Sequence, residues 1–396
     1  MIRVLELLIS LLIVAALIIV IGLLLPSHGH LERSVEVSSP VRQIYDSINT
    51  LRRFPEWSAE RRLDPQMKIE FEGPREGIDA GVRWDGNEAV GKGGLKIVSS
   101  DLDSQVKMAV EDKFAGTNKS YTIRLEPAQN AKTTRIFWSY DVDYGWNLLW
   151  RYAGLYIHGS PDATVQTNLG NLAGMLATFP NVDYQNQEIK VVDVTGGPML
   201  FVSTKAPRTL DEVAMATDDA AAKIDAFMKK AGLTATGPRR TITTNWGDDS
   251  YVFDVAIPVN SASFVVDRTT YTITAPSDST STRDTLEGEE DDAPKALAPG
   301  DIDGNGNLVL EGDVRGTISY SGKALATEYA GSAAILPLLR LMEKAWAETH
   351  GYTYSEMDNG RFWDEVVAPA PLADGTAPTA VAEGEETWRV YLPVGE

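Results

Sequence analysis

The sequence predicts an α+β protein behind an amino-terminal membrane-spanning helix, and three observations carry that prediction. An unbroken apolar run stands near the start of the chain. Between residues 31 and 180, short alternating runs follow one another and are closed by one long amphipathic helix, the pattern of an antiparallel sheet packed on a helix. From 186 to 396 one strand–helix–strand order occurs twice, and a repeat fixes architecture before any single motif does. A length of 396 residues agrees with several domains, because a single core rarely grows past about 250 residues.

Composition narrows the function classes. Hydrophobic residues make up 43% and charged residues 23% of the chain, which excludes wholesale disorder and a polytopic membrane protein. With 36 Lys and Arg against 56 Asp and Glu, the net charge of −20 offers phosphates no basic face, so no nucleic acid is expected. The absence of cysteine removes disulfide scaffolds, thiolate zinc sites and cysteine nucleophiles, and 4 histidines leave little for a histidine-rich metal centre. No cofactor is called for.

From Val4 to Leu25 the chain reads VLELLISLLIVAALIIVIGLLL, 22 residues with Glu6 as the only charge. As a helix this run crosses a hydrocarbon core of about 30 Å. The following Leu-Leu-Leu-Pro-Ser-His-Gly-His lacks a small-x-small cleavage site, so residues 1–26 are read as a retained signal anchor and residues 4–25 as the contact with the lipid bilayer. Arg3 lies before the span, while Glu32 and Arg33 cancel after it. The positive-inside rule then puts the amino terminus inside, giving a single-pass protein of a bacterial inner membrane with its soluble part in the periplasm.

After the span, LERSVEVSS alternates as a strand, and Ser39-Pro40 opens a helix from Val41 to Leu51 with a polar cap and a first-turn proline. Phe54-Pro55-Glu56-Trp57 makes a turn. MKIEFEG, GVRWDG, GGLKIVSSD, QVKMAVED, KSYTIRLEP and TTRIFWSYDV read as successive antiparallel strands. A helix from about Pro161 to Thr178 closes the segment, with Val165, Leu169, Leu172 and Leu176 on its buried face.

VEVSSPVRQIYDSINTLRRFPEW and the closing helix resemble the SRPBCC superfamily of polyketide cyclases and START-like proteins over nearly the whole of residues 31–180. The resemblance implies a helix-grip fold, in which a curved sheet wraps the closing helix around an apolar cavity for hydrophobic molecules. Candidate lining residues are Trp84, Phe137, Tyr140, Tyr144, Trp146 and Trp150, large apolar surfaces with a few polar tips. Core packing explains strand aromatics more often than ligand contact does. Asp141 and Asp143 share one strand face, as paired carboxylates for acid–base work would, although such pairs are more often simply solvated. His158 is the only histidine between residues 31 and 340, so no Ser-His-Asp grouping is visible there.

In the first repeat, KVVDVTGGPMLFVSTKAP is strand-like, Leu210 to Ala231 is helical, Gly232 and Gly237-Pro238 end the helix, and SYVFDVAIPV is a closing strand. In the second, GTISYSGKALATEYAG is strand-like, Ala333 to His350 is helical, Gly351 ends the helix, and TWRVYLPV closes the chain. Together with GKALATEYAGSAAILPLLRLMEKAWAETHGY and GRFWDEVVAPA, this order is similar to the gyrase-inhibitor-like effector-binding domain, which also forms the ligand-sensing part of some AraC-type and multidrug-responsive regulators. The resemblance implies two pseudo-symmetric units around a groove for bulky, often cationic or aromatic compounds, with Glu365 as the groove acid. Val367 stands where that family usually has Tyr. Phe362, Trp363, Trp388 and Tyr391 are expected around Glu365, with Trp246, Tyr251 and Phe253 in the same role in the first half. A carboxylate among aromatic rings would favour a bound cation. Trp346, among Leu338, Leu341 and Met342, reads as core.

An acidic, proline-bearing insert spans 276–300. Asp301, Asp303 and Asn305 then match positions one, three and five of a calcium loop, but Gly312 stands where the bidentate Glu belongs. A glycine-rich turn explains the same residues better. The expected function is membrane-anchored binding of hydrophobic or amphipathic small molecules by two modules. The alternatives are a hydrolase or cyclase using Glu365 or the Asp141 and Asp143 pair, and an envelope protein-interaction module whose partner the sequence does not name.

Overall fold

The structure is a computed structural model and describes residues 2–128, 133–276, 297–355, 362–367 and 386–395. The chain divides into two compact units, Met1–Asn186 with Glu348–Gly351, and Gln187–Ala347 with Tyr352–Glu396. The architecture is α+β, with large antiparallel sheets and one apolar amino-terminal helix.

The first unit begins with α1 (Ile2–Leu24), of which Leu5–Leu24 is long and apolar enough to cross a membrane. The helices α2 (Val41–Asn49), α3 (Phe54–Trp57) and α4 (Ala59–Leu63) follow strand β1 (His28–Val37). Six further strands are β2 (Lys68–Glu72), β3 (Gly81–Asp85), β4 (Lys92–Asp101), β5 (Gln105–Glu111), β6 (Thr117–Pro127) and β7 (Thr134–Asp143). They form a seven-stranded antiparallel sheet in the order β1-β7-β6-β5-β4-β3-β2, so β1 closes onto the last strand. A short helix α5 (Leu148–Ala153) leads to α6 (Ser160–Leu176). Val165, Leu169, Leu172 and Leu176 of α6 are all buried, as their helical spacing requires.

Two contacts tie α1 to the folded unit. The Arg151 guanidinium donates to the Leu23 and Leu25 carbonyls at 3.1 and 3.2 Å, satisfying acceptors that the end of a helix leaves without partners. The Tyr152 hydroxyl donates to the Ile18 carbonyl at 2.6 Å. Gly22 permits this approach, since a Cβ there would stand 3.1 Å from the Tyr152 ring and 3.3 Å from Leu148.

The second unit contains β8 (Ile189–Val194), β9 (Pro198–Pro207), α7 (Leu210–Ala231), β10 (Arg240–Trp246) and β11 (Ser250–Pro258). A hairpin, β12 (Ser263–Val266) with β13 (Thr269–Thr272), is followed by β14 (Leu308–Val309), β15 (Val314–Ile318), β16 (Gly322–Ala330), α8 (Leu336–His350), β17 (Trp363–Val367) and β18 (Thr387–Pro393). The large sheet has nine strands in the order β14-β15-β9-β11-β10-β17-β18-β16-β8. The repeat is present, but the halves are not self-contained. Each strand-like stretch that opens a repeat is two strands, and the leading strands are exchanged: β8 pairs with β16, and β15 pairs with β9. The exchange crosses at Gly196-Gly197, where the Ser319 amide donates to the Gly197 carbonyl, the Gly197 amide donates to the Ser319 Oγ, and a Cβ on Gly196 would fall 2.5 Å from the Ser319 carbonyl. Both helices cover the same face of the sheet. Ile224 and Phe227 of α7 pack on Val202, Phe253 and Val255, and Leu339 and Ala347 of α8 pack on Leu325, Val390 and Leu392.

Leu172 lies at the centre of the first unit's core with no exposed surface. Leu172→Ala is expected to cost about 2–5 kcal/mol. Urea unfolding of the detergent-solubilised chain, followed by tryptophan emission, measures this.

Candidate functional site

In the first unit, burial separates the expected cavity residues. Trp84, Tyr140 and Tyr144 are core, and with Phe54, Trp57, Tyr121 and Trp138 they belong to one cluster of packed rings: Phe54 stacks on Trp84 at 5.1 Å, and Trp57 meets Trp138 edge-on at 5.5 Å. Trp150 is partly buried against that cluster. The Trp57 and Trp138 indole N–H groups are buried without a hydrogen-bond partner, which costs about 1–3 kcal/mol each unless something accepts from them. Phe137 and Trp146 do not line this interior. Strand alternation turns Phe137 to the outer face, where the Arg124 guanidinium covers it at 5.0 Å, and Trp146 is 84% exposed beyond the end of β7.

Asp141 and Asp143 share a face, and each lies opposite a histidine of β1. His30 Nδ1 is 2.7 Å from Asp141, while His28 Nε2 is 3.7 Å from Asp143 and its Nδ1 is 2.9 Å from Ser27 Oγ. Sequence reading missed these pairs because the histidines precede the strands by more than a hundred residues and stand at the foot of the anchor. Both histidines are mostly exposed, and pairs in water contribute little.

In the second unit, alternation divides the expected ring of residues between two faces. Tyr251, Phe253, Phe362 and Trp388 lie on the helix side, in the cores beneath α7 and α8, and not around Glu365. Trp246 sits at the rim, 40% exposed, under the Arg208 guanidinium at 4.2 Å. Trp363, Glu365 and Tyr391 do come together on the opposite face. There, cross-strand partners form two adjacent rows. One runs Phe201, Ala256, Arg240, Glu365, Arg389, Glu328 across β9, β11, β10, β17, β18 and β16. The next runs through Ile242, Trp363, Tyr391 and Ala326.

The first row alternates in charge. Glu365 is buried and accepts from Arg240 Nε at 2.8 Å, and Arg389 Nε donates to Glu328 at 2.8 Å. Glu365 is therefore not the free groove acid expected from the sequence. The chain supplies its own cation, which holds Oε1 of the carboxylate. In the second row, Trp363 and Tyr391 stack at 4.7 Å with planes 13° apart. The Trp363 Nε1 is buried and has no hydrogen-bond partner. Trp363 is itself buried, with the Tyr320 ring 6.1 Å from its ring and the Arg240 guanidinium over it at 5.8 Å, and its indole N–H can donate to an acceptor that reaches it.

On the helix side, Asp364 is paired with Arg340, which also donates to the Tyr251 hydroxyl at 3.4 Å. Glu343, one helical turn beyond Arg340, is wholly buried and neither carboxylate oxygen has a hydrogen-bond partner. A separate open groove of about 440 Å³ lies between Val202–Pro207 of β9 and Glu212, Met215, Asp219 and Lys223 of α7. It contains none of the residues expected from sequence.

The calcium-like loop is a turn. Asp303 Oδ1 accepts from the Asn305 and Asn307 amides, each at 2.9 Å, and Asp301 accepts from the Ala298 amide at 2.8 Å. Among the described residues no group of three or more His, Cys, Asp or Glu is placed to hold a metal ion. The acidic insert falls largely on 277–296, outside the described residues.

No family model and no curated protein matches the chain. Solved structures similar to it include the EcmrR C-terminal domain, at 10% identity over 53% of this chain and 98% of that one, with a TM-score of 0.34. Norcoclaurine synthase from Thalictrum flavum, in complex with dopamine and hydroxybenzaldehyde, matches at 13% identity over 36% of this chain and 85% of that one, with a TM-score of 0.30. The di-domain ARO/CYC StfQ from the steffimycin biosynthetic pathway matches at 12% identity over 37% of this chain and 50% of its own length, also at 0.30. These likenesses concern the fold alone.

Burial pushes the Glu343 carboxyl well above the usual carboxylate range; the Asp364 charge adds to this and Arg340 opposes it. A carboxyl that keeps its proton only when folded stabilises the unit below its unfolded value of 4.5, and that stability is lost as pH rises through the folded value. Glu343→Gln is expected to flatten this slope and to stabilise the second unit at pH 8 by about 1–3 kcal/mol. Urea melts at several pH values measure both effects.

Proposed function

We propose that this chain is a membrane-anchored binding protein for small amphipathic molecules, with the sheet face around Trp363 and Tyr391 as its principal site. One observation carries the reading: a buried, unpartnered indole N–H stands in a stacked aromatic pair beside a row of alternating charges. The preferred ligand is a planar aromatic bearing a hydrogen-bond acceptor. A simple cation is disfavoured, because Arg240 already neutralises Glu365. The first unit offers a second place for an acceptor-bearing apolar guest, on the strength of the unpartnered Trp57 and Trp138 donors.

Anchoring by α1 is supported by the Arg151 and Tyr152 contacts, which make the apolar helix part of the folded unit in a way that a segment destined for cleavage would not need. The charge balance at Arg3 favours a periplasmic soluble part. Catalysis through Glu365 loses support from its pairing with Arg240, and catalysis through Asp141 and Asp143 from their only partial burial.

Naphthalene-2-carboxylate, titrated into the detergent-solubilised chain and followed by tryptophan quenching, is expected to bind, and Trp363→Ala to weaken it about 5–50-fold through loss of ring contact and donor. Leu63→Ala, at an exposed position in the first unit, is expected to leave binding unchanged. Affinity unaffected by both Trp363→Ala and Tyr391→Ala would remove this surface as the site.

A further inference from the structure

Between β7 and α6 the chain exposes large apolar side chains in close succession: Trp146 at 84%, Leu149 at 79%, Leu155 at 60% and Tyr156 at 76% of their surface. Such a cluster on a folded domain marks a surface that is covered in use. Its place in the fold says by what. The segment is α5 and the turn after it, and α5 packs directly on the last two turns of α1 through Leu148, Tyr152 and Arg151. Ile18, whose carbonyl receives the Tyr152 hydroxyl, lies seven residues before Leu25, about 10 Å down the helix axis. Headgroup regions add roughly 5–8 Å on each side of the hydrocarbon core, so a helix fixed at this level of α1 lies at the membrane–water boundary. Tryptophan and tyrosine are the residues enriched there, because the ring prefers the apolar side and the polar tip prefers water.

We propose that residues 146–157 form a second, interfacial membrane contact, in which α5 and its flanking turns lie in the boundary zone of the same bilayer that α1 crosses. This rests on the reading of α1 as a retained anchor. The occupant is the lipid surface itself. Arg151 fits the arrangement: its guanidinium is buried against the Gly145, Leu23 and Leu25 carbonyls, so this cation is spent inside the protein and the outward face of α5 is left apolar. With α1 and α5 both engaged, the first unit is held at a fixed orientation to the membrane rather than swinging on a single tether.

The chain has no cysteine, so each introduced cysteine is a unique labelling site. Nitroxide labels placed singly by Leu149→Cys and Leu155→Cys in the full chain, reconstituted in phosphatidylcholine and phosphatidylglycerol vesicles, report collision with a water-soluble nickel complex and with oxygen. Leu102→Cys is the aqueous control; it is exposed on the β4–β5 turn, beside Gln105, whose cross-strand row reaches β1 at Ser34, six residues or about 20 Å along the strand from His28. Ile13→Cys reports on the span. The expected result is nickel access at 149 and 155 reduced roughly fivefold or more against 102, with oxygen access raised. Nickel access at 149 and 155 equal to that at 102, with the label at 13 shielded, overturns the interfacial contact and leaves the anchor standing. Nickel access at 13 equal to that at 102 overturns both.

Discussion

The seam between β10 and β17 is the constraint on which the second unit depends. It is the one pairing that joins the two repeats at the middle of the sheet, and it sets Arg240 opposite Glu365. A one-residue slip would turn every side chain of β17 to the other face, carrying Glu365 under the helices and Asp364 away from Arg340. In either direction one acid takes the other's place beside a cation and the second is left buried without one, which costs far more than the intact pair contributes. The two ion pairs, one on each face, thus specify register more than they add stability. Once register is set, the stacking of Trp363 on Tyr391 and the charge row follow from cross-strand geometry alone.

The exchange of β8 and β15 makes this seam robust. Because each half lends its leading strand to the other, neither half can complete its side of the sheet alone, and the rows on the face opposite the helices run uninterrupted from β9 to β16. The crossing requires two backbones to touch, and only residues without a Cβ allow it at Gly196. A local feature, two adjacent glycines, therefore serves a global one.

How much of this was legible in the sequence follows from range. The apolar run, the closing helix with Val165, Leu169, Leu172 and Leu176, and the repeated order are all local patterns, and periodicity reports them directly. The site was legible only in part. Glu365 was found by its motif, but its cation stands 125 residues earlier, and no local signal links the two. Phe362 and Trp363 are neighbours that alternation sends to opposite faces, so reading WDEVV as a strand was enough to separate them, had period two been applied to the residues flanking the acid. The strand exchange could not be read at all, because a repeat states the order of elements and is silent on which copies pair.

Two kinds of buried polar group lack partners here, a carboxyl and three indoles, and the difference between them bears on where a ligand would act. Under α8, burial raises the Glu343 carboxyl's affinity for a proton, which removes the charge without a guest. An indole N–H has no such remedy, since it can neither lose its proton nor turn into an acceptor. Trp57, Trp138 and Trp363 can be satisfied only by an acceptor arriving from outside their own side chains, whether water or ligand. Of the three, Trp363 alone lies on the sheet face opposite α7 and α8, buried beside a ring stacked on it. The same physical deficit that would be a fault in a closed core becomes there a preorganised donor, held in place by a strand whose register the buried ion pairs fix.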